Sequence, residues 1–400
     1  MEQGRVRRRR VFYIPGYDPI PPRRYRELYR REARAQAAVS GYDLALVPGS
    51  GTPHGWSVAA RMDGRESRAE IGVLVWSDIV RASMSDGIAA TYWQLLRTAW
   101  IYLASGALRR LMRLRKGPVL AALYPVAMLL AQLALAVLLG WGAAAALNLW
   151  LPAGLGWIAA PVAAYLALRW FKARDGRVFA HYLMHDYAFS ARHGGAYPPE
   201  LEARLRGFAD AVADALDQDW DEVLVVGHSS GAYLGVSVLA DLLRAGRARR
   251  DGPALAFLSL GQVVPMVSFL PRADRLRADL HLLAQSDALT WIDVTAPGDG
   301  CAFALCDPVA VTGVAPPEQR WPLVVSAAFS QTLRPETWRA LRWRFFRLHF
   351  QYMCAFDRPG DYDYFRITAG PRTLAARYAD RPASRSCLRR PVSGHRGMAA

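Results

Sequence analysis

A central stretch of this chain carries no charge at all. Residues 117–168 contain no Asp, Glu, Lys or Arg, whereas a helix that spans a membrane needs about 20 mostly apolar residues. The stretch is long enough for two spans, at about 118–139 and 149–168, joined by a tight turn. The alternative, a buried hairpin in a soluble core, would need two consecutive charge-free helices of this length, which is rare. We predict an inserted transmembrane α-hairpin over residues 117–170.

The residues on either side of this stretch predict its orientation. Basic side chains precede the first span at Arg109, Arg110, Arg113, Arg115 and Lys116, and they follow the second at Arg169, Lys172, Arg174 and Arg177. The connecting turn contains neither Lys nor Arg. Because Lys and Arg accumulate in cytoplasmic flanks, we expect a cell (inner) membrane protein with two spans. Both flanking parts would then lie in the cytoplasm, where they can join in one domain.

Residues 88–116, directly before the first span, are expected to form an amphipathic helix on the membrane surface. Aromatic and aliphatic residues recur there at helical spacing beside arginine, as in Trp93, Leu96, Arg97 and Trp100. Helices of this composition bind anionic lipid, so an anionic membrane surface is an expected partner. An ordinary helix that faces the protein core is the alternative interpretation.

The composition excludes several classes of protein. With 52% apolar and 21% charged residues, the chain is not disordered as a whole, despite its net charge of +16. The arginines are scattered without a nucleic-acid-binding motif, so we predict no nucleic-acid partner. Four cysteines without a short-range framework do not indicate a disulfide-rich secreted scaffold. The basic tail, residues 381–400, has little apolar content and is predicted to be disordered.

Outside the hairpin and the tail, strands and helices alternate along the chain. The predicted strands are 11–14, 43–47, 71–76, 223–226, 254–260, 289–294 and 323–329. The predicted helices are 23–39, 201–216, 232–244 and 273–285. Alternation of this kind is typical of a mostly parallel sheet with helices on both faces. We predict one α/β domain, formed by residues 1–87 and 171–380 and interrupted by the hairpin.

A short motif in the second part of this domain predicts a nucleophile. The sequence Gly227-His228-Ser229-Ser230-Gly231 is a G-x-S-x-G pentapeptide between the apolar strand 223–226 and a helix. A serine hydroxyl is a weak nucleophile and must project from a strained strand-to-helix turn toward a base. The two glycines leave room for such a turn. The Ser230 N–H, at the helix N-terminus, would face a developing oxyanion.

On these residues, the chain resembles the α/β-hydrolase fold over most of its length outside the hairpin and tail. The resemblance implies the order nucleophile, acid, histidine along the chain, with the acid in a loop after a later strand. Asp299 lies in such a Pro/Gly loop after the strand 289–294, and Asp307 and Asp293 are the alternatives.

The same order places the base after the serine. His349 follows the last predicted strand and is the expected base, whereas His281 lies within a helix and His395 in the tail. His228 lies inside the elbow and is not expected to be a base. His181, His185 and His193 precede the serine and do not fit the order. The spacing, with a later H-x-x-Y, is loosely similar to class 3 lipases.

The resemblance also implies a function. In this fold the second oxyanion donor comes from a loop after an early strand, where the N–H of Tyr17 follows Gly16. We therefore expect a membrane-anchored serine hydrolase that cleaves a lipid or other long-chain acyl ester, without metal or organic cofactor. Ser229 would attack, His349 would carry the proton and Asp299 would orient the imidazole. An acyltransferase with the same triad and a non-catalytic binding module are the alternatives.

Overall fold

A mixed β-sheet organises the molecule. The computed structural model describes residues 4–47, 51, 54–84, 87–152, 154–248 and 251–399. Within these ranges the sheet has eight strands in the order β2-β3-β4-β1-β5-β6-β7-β8. The strands are β1 (Arg8–Ile14), β2 (Asp43–Val47), β3 (Trp56–Met62), β4 (Arg65–Val73), β5 (Glu222–His228), β6 (Ala254–Leu260), β7 (Thr290–Thr295) and β8 (Leu323–Ser326).

Helices connect and cover the strands. They are α1 (Arg23–Ser40), α2 (Ser77–Ser83), α3 (Ile88–Ala104), α4 (Ala107–Leu111), α5 (Lys116–Leu147), α6 (Ala159–Ala173), α7 (Asp175–Val178), α8 (Ala180–Ala191), α9 (Pro199–Leu216), α10 (Ser230–Arg244), α11 (Val264–Ser268), α12 (Asp274–Gln285), α13 (Pro308–Thr312), α14 (Phe329–Thr332), α15 (Pro335–Leu341), α16 (Phe345–His349), α17 (Tyr364–Ala369) and α18 (Leu374–Arg377). The prediction of an α/β fold is confirmed.

The central strands are parallel and buried on both faces. β1 lies between β4 and β5 and is parallel to both, and β6, β7 and β8 continue in the same direction. Successive side chains of a strand point to opposite faces, so Phe12 and Ile14 enter one apolar core while Val11 and Tyr13 enter the other. Helices α9, α10 and α12 contribute to the first core, and α1 and α17 contribute to the second.

Strands β2 and β3 extend one edge of the sheet in antiparallel pairing. β3 was not predicted from the sequence. β3 pairs with β2 on one side and with β4 on the other. Its buried residues Trp56, Val58 and Met62 alternate with more exposed ones, the pattern of a strand covered on one face. The turn to β4 uses Asp63 and Gly64, both at positive φ, as two-residue hairpin turns require. β3 therefore lacks the continuous apolar run that marks a strand such as β5.

One helix among the described residues is long and apolar enough to cross a membrane. It is α5, with 32 residues and a mean hydropathy of 2.2 over its most apolar 18-residue window. α6 has 15 residues, which at the α-helical rise extend about 22 Å, less than the roughly 30 Å hydrocarbon core. The chain first passes through a 3-10 turn at Leu155–Ile158, which shortens α6. The two-span hairpin is thus not established by the helix lengths.

The segment predicted as one interfacial helix forms two helices. α3 and α4 are separated at Gly106, whose φ of 69° ends the first helix. α3 buries Leu95 and Tyr102 on one face. Its opposite face exposes large apolar side chains: Trp93, Leu96, Trp100 and Leu103. α3 therefore has one side that faces the protein core and one exposed apolar side.

The C-terminal segment differs from the predicted disordered tail. Leu388 forms a β-bridge with Cys306, and the N–H of Val392 donates to the Val311 carbonyl at 2.9 Å. The carbonyl of Gly397 accepts a hydrogen bond from Arg277. Backbone hydrogen bonds and the partly buried side chains of Leu388 and Val392 connect this segment to the domain, and the local composition contains no signal for these contacts.

Candidate active site

The G-x-S-x-G motif forms a sharp turn between β5 and α10. Ser229 has φ 56° and ψ −121°, a combination that costs a non-glycine residue about 1–3 kcal/mol and that tends to occur at functional sites. The Ser229 N–H donates to the Leu260 carbonyl at the end of β6, at 2.9 Å. The turn thus lies at the carboxyl end of the parallel strands, and Ser229 remains partly accessible there.

The two glycines of the motif are required by close backbone contacts. A Cβ on Gly227 would lie 2.4 Å from the Gly231 carbonyl oxygen, and a Cβ on Gly231 would lie 2.1 Å from the Ile14 carbonyl oxygen. Both distances are far below van der Waals contact. The glycines therefore allow α10 to begin directly against β5 and β1, which creates the strained conformation at Ser229.

Asp299 and His349 form a buried pair. The Nδ1 atom of His349 lies 2.7 Å from Asp299 Oδ2, and the Tyr352 hydroxyl donates to the same oxygen at 3.0 Å. The Cys301 N–H donates to Asp299 Oδ1 at 2.9 Å. Burial alone would raise the pKa of Asp299, but His349 and these donors lower it below its ordinary value. Both carboxyl oxygens of Asp299 thus accept hydrogen bonds, and one of them contacts the His349 imidazole directly.

The other candidate acids have structural contacts elsewhere. Asp293 lies within β7 and accepts a hydrogen bond from the Ser259 hydroxyl of β6, and burial raises its pKa to about 8. Asp307 caps α13 by accepting from the N–H groups of Val309 and Ala310. Among the three candidates, the structure brings Asp299 alone next to His349.

The remaining histidines also have other partners or positions. His281 contacts the Val314 carbonyl at 2.8 Å, and the His395 N–H donates to the Ser393 hydroxyl. His181 and His185 lie on α8, where His185 contacts Gln94. His193 lies just beyond that helix. None of these residues lines the cavity that contains Ser229.

Ser229 and His349 line one cavity of about 80 Å³. The Nε2 atom of His349 is buried and has no hydrogen-bond partner among the described residues. Ser229 and His349 are both described, and no hydrogen bond joins the serine hydroxyl to that nitrogen. Such bonds are often long in an unliganded enzyme and shorten when substrate binds. The free nitrogen is the atom through which His349 could accept a proton.

The predicted oxyanion donors border the same cavity. A Cβ on Gly16 would lie 3.0 Å from the Ser229 Cβ and 3.5 Å from its Oγ, so the loop that contains Tyr17 touches the serine. Tyr17 and Ser230 both line the cavity. Within the described chain, the backbone N–H groups of these two residues have no protein acceptor. Two donors are thus available on the side of Ser229 where the early loop passes.

His228 supports the position of His349. Its Nε2–H donates to the His349 backbone carbonyl at 2.9 Å, and the two ring centroids are 4.7 Å apart. Burial, followed by repulsion from His349, lowers the pKa of His228 to about 3. His228 is therefore neutral at ordinary pH, consistent with the prediction that it is not a base.

Three residues of the site were not predicted from the sequence. They are Tyr352, Asp186 and Cys301. The H-x-x-Y spacing was the available signal for Tyr352, whereas nothing near Asp186 in the sequence marked it. Asp186 lines the cavity from α8, and burial, partly opposed by His349, raises its pKa to about 7.

Asp299, Cys301 and His349 also have the spacing of three possible metal ligands. One ligand atom from each lies within 4.8 Å of the others. However, a metal needs the cysteine as thiolate, and burial raises the pKa of Cys301 well above its ordinary value. The hydrogen bond between Asp299 and His349 already occupies one ligand atom of each. The donor set fits an acid–imidazole pair better than a metal centre.

The apolar helix α5 begins at this site. A Cβ on Gly117 would lie 3.4 Å from Gly300 Cα, next to Asp299, and Pro118 lines the cavity. The Arg115 side chain donates to the Ala304 carbonyl at 2.8 Å.

None of the protein-family models, curated proteins or solved structures compared with this chain matches it.

Proposed function

We propose that this protein is a membrane-anchored serine hydrolase of the α/β-hydrolase fold, with a lipid or long-chain ester as substrate. The observation that carries the proposal is the buried Asp299–His349 pair, at 2.7 Å, whose histidine lines the same cavity as the strained Ser229. The position of that serine after β5, a central parallel strand, supports the same fold. Nucleophile, acid and histidine also follow one another in the order of that fold.

The reaction would proceed through an acyl-enzyme. Ser229 Oγ attacks the ester carbonyl carbon while its proton passes to His349 Nε2, and the resulting imidazolium is stabilised by Asp299. His349 then gives this proton to the leaving alkoxide, which departs as the alcohol. Water attacks the acyl-enzyme, again with His349 as base, and the carboxylic acid leaves while the serine regains its proton.

The negative charge of each tetrahedral intermediate would be bound by backbone donors. The N–H groups of Ser230 and Tyr17 border the serine, and donors fixed in place before the reaction contribute about 10²–10³-fold each in enzymes of this kind. Tyr17 is itself held by neighbours: its hydroxyl bonds with Ser83 at 2.6 Å, and its carbonyl accepts from Tyr182. The loop is thus positioned by contacts on both sides.

We further propose that α5 and α6 cross the membrane together. A Cβ on Gly140 would lie 2.5 Å from the Ala160 carbonyl oxygen, the close approach through small residues that membrane helices favour. Asn148 accepts from the Gly156 N–H at 2.8 Å and closes the turn. Leucine and tryptophan side chains cover the outer surface of the pair, among them Leu138, Trp141, Trp150, Leu166 and Trp170.

The anchor would hold the cavity at the membrane surface. The cavity borders Pro118, at the beginning of α5, and basic residues surround this end of the helix pair. The exposed face of α3 carries Trp93 and Trp100 and is suited to the interface of an anionic leaflet. An ester inside the bilayer would then meet Ser229 without first dissolving in water.

Activity-based labelling tests the proposed nucleophile. Membrane fractions that contain the protein are treated with a fluorophosphonate, which reacts with activated serines. We expect labelling of the parent and none of Ser229→Ala, because the phosphorus is attacked by Ser229 Oγ. Ser237→Ala is a matched control, since Ser237 lies on the same helix α10, where its hydroxyl bonds with Tyr197. Equal labelling of Ser229→Ala and the parent would refute the proposal.

A further inference from the structure

A second cavity adjoins the first and extends along the apolar helices. It has a volume of about 310 Å³ and lies between α3, α4, α5 and α8. We call it the helical cavity, and the cavity around Ser229 the serine cavity. Pockets that enclose small molecules usually measure about 300–1,000 Å³. The helical cavity reaches that range, whereas the serine cavity, at about 80 Å³, holds little more than a reacting group.

The two cavities share a wall. Tyr187 of α8 and Met266 of α11 line both of them. Along α5, Pro118 lines the serine cavity and the next residue, Val119, lines the helical cavity. A chain whose carbonyl group lies at Ser229 would have to pass only these residues to enter the helical cavity.

The helical cavity is suited to hydrocarbon. Among the described residues that line it, none is charged. The hydroxyl of Tyr102 is already used, since it donates to the Met266 carbonyl at 2.8 Å. The rest of the lining is mainly Leu, Val, Ala and Met. A polar ligand would lose its hydrogen bonds to water there without replacement, whereas each buried methylene group is stabilised.

The outer wall of the helical cavity faces the surface that we assign to the membrane. Leu103 of α3 and Leu123 of α5 line the cavity, yet they are 62% and 40% exposed. They continue into the exposed apolar side chains of α5, such as Leu120 and Leu130. A hydrocarbon chain could thus pass between the bilayer and the cavity without crossing a polar surface.

We propose that the helical cavity binds the acyl chain of the substrate while its carbonyl group reacts at Ser229. This inference rests on the proposed function and adds its substrate class: esters of a long, flexible fatty acid, with the alcohol part directed away from α5. The anchor helix would then have a second role, because it forms one wall of the acyl site. Esters of short acids would use the serine cavity alone.

Chain-length selectivity tests this site. The full-length protein in nanodiscs hydrolyses p-nitrophenyl butyrate and p-nitrophenyl decanoate, and the ratio of the two kcat/KM values is measured. Ala122→Trp and Val126→Trp place a large ring in the helical cavity. We expect each to lower the decanoate-to-butyrate ratio about tenfold or more, because several methylene groups lose their burial. Ala127→Trp, on the exposed side of the same helix, is the matched control and should keep the parental ratio.

The outcomes separate this inference from the function on which it rests. If the parent hydrolyses neither ester, the proposed hydrolase activity itself fails. If the parent is active and both cavity variants keep its ratio, whether or not total activity falls, the helical cavity is not the acyl site. A lower ratio in the Ala127→Trp control, equal to that of the cavity variants, would equally overturn the assignment.

Discussion

The ring of His228 donates a hydrogen bond to the backbone carbonyl of His349. The two residues are neighbours in the site but are 121 positions apart in the chain. His228 directly precedes the proposed nucleophile, so this bond connects the elbow to the segment of the proposed base. Because an imidazole with a proton on Nε2 donates from that atom whether or not Nδ1 is also protonated, the bond does not depend on the titration of His228.

Loss of this bond should lower catalysis without abolishing it. We expect His228→Ala to reduce kcat about 10–100-fold with little change in KM, because small displacements of a reacting group have effects of this size. His228→Gln, which can donate to the same carbonyl, should recover part of kcat. His281→Ala is the control, since His281 contacts a backbone carbonyl outside the site. Equal kcat for His228→Ala and the parent would contradict the positioning role.

Removal of the charge on Asp299 should have a larger effect. Asp299→Asn should reduce kcat about 10³–10⁴-fold, because the amide favours the wrong tautomer of His349 and does not stabilise its charged form. Asp293→Asn also removes a buried carboxyl group, but one that bonds with Ser259 and not with His349, and should leave kcat within about twofold. Ester hydrolysis by the two purified variants measures the difference. Comparable losses in both would argue against Asp299 as the orienting acid.

Asp293 predicts a dependence of stability on pH. Burial raises its pKa in the folded protein to about 8, above the ordinary value near 3.9. Between about pH 4 and pH 8, the folded protein therefore keeps a proton on Asp293 that the unfolded chain has already released. The contribution of Asp293 to stability falls as pH rises through that range. Asp293→Asn removes this dependence.

Urea unfolding at pH 5 and pH 8.5 measures this effect. At each pH, the unfolding free energy of the parent is subtracted from that of Asp293→Asn. We expect this difference to be larger at pH 8.5 than at pH 5 by on the order of a few kcal/mol. The Ser259 hydroxyl can still donate to the amide oxygen at this position. A constant difference between variant and parent at the two pH values would show that Asp293 is ionised in the folded state.

Gly231 should tolerate no side chain. A Cβ there would meet the Ile14 carbonyl oxygen at 2.1 Å, so Gly231→Ala must displace α10 from β1. We expect a loss of about 2 kcal/mol or more in unfolding free energy and loss of fluorophosphonate labelling. Gly207→Ala is the control on α9, where a Cβ meets nothing within 4 Å. It should stabilise the protein by about 0.5–1 kcal/mol.

The turn between α5 and α6 should be accessible from outside the cell. Leu149, which is 81% exposed, is replaced by cysteine, and intact cells are treated with a membrane-impermeant maleimide. We expect labelling of Leu149→Cys in intact cells, whereas Asp219→Cys, at an exposed site of the α/β domain, should label only after the membrane is opened. The reverse pattern would refute the proposed orientation.

Much of the fold followed from the sequence because local patterns determine it. Short apolar runs such as residues 223–226 and 254–260 favour buried strands, and the helix over 201–216 has regular spacing of its buried residues. β3 was missed because one of its faces is exposed. Residues 381–400 contact the domain through hydrogen bonds to residues distant in the chain, such as Val311, and the local composition does not indicate these contacts.

The site was predictable where a motif or an order of residues existed. The elbow around Ser229 has a sequence pattern, and Asp299 and His349 follow from the resemblance to a fold. The structure then distinguishes Asp299 from Asp293 by position, since only the former lies outside the sheet next to His349. Asp186 could not be found in advance, because its place in the cavity depends on how α8 packs against α3 and α5.

The contact between Gly117 and Gly300 has a consequence for where an ester can be cleaved. In the proposed enzyme, the backbone that enters the bilayer begins beside the loop that holds Asp299, so the packing of these two segments sets the depth of the reacting carbonyl relative to the lipid headgroups. Lipids of the leaflet at this end of the helix would be within reach, and those of the opposite leaflet would not. Turnover would then depend on how fast lipids flip across the membrane, once the near side had been depleted.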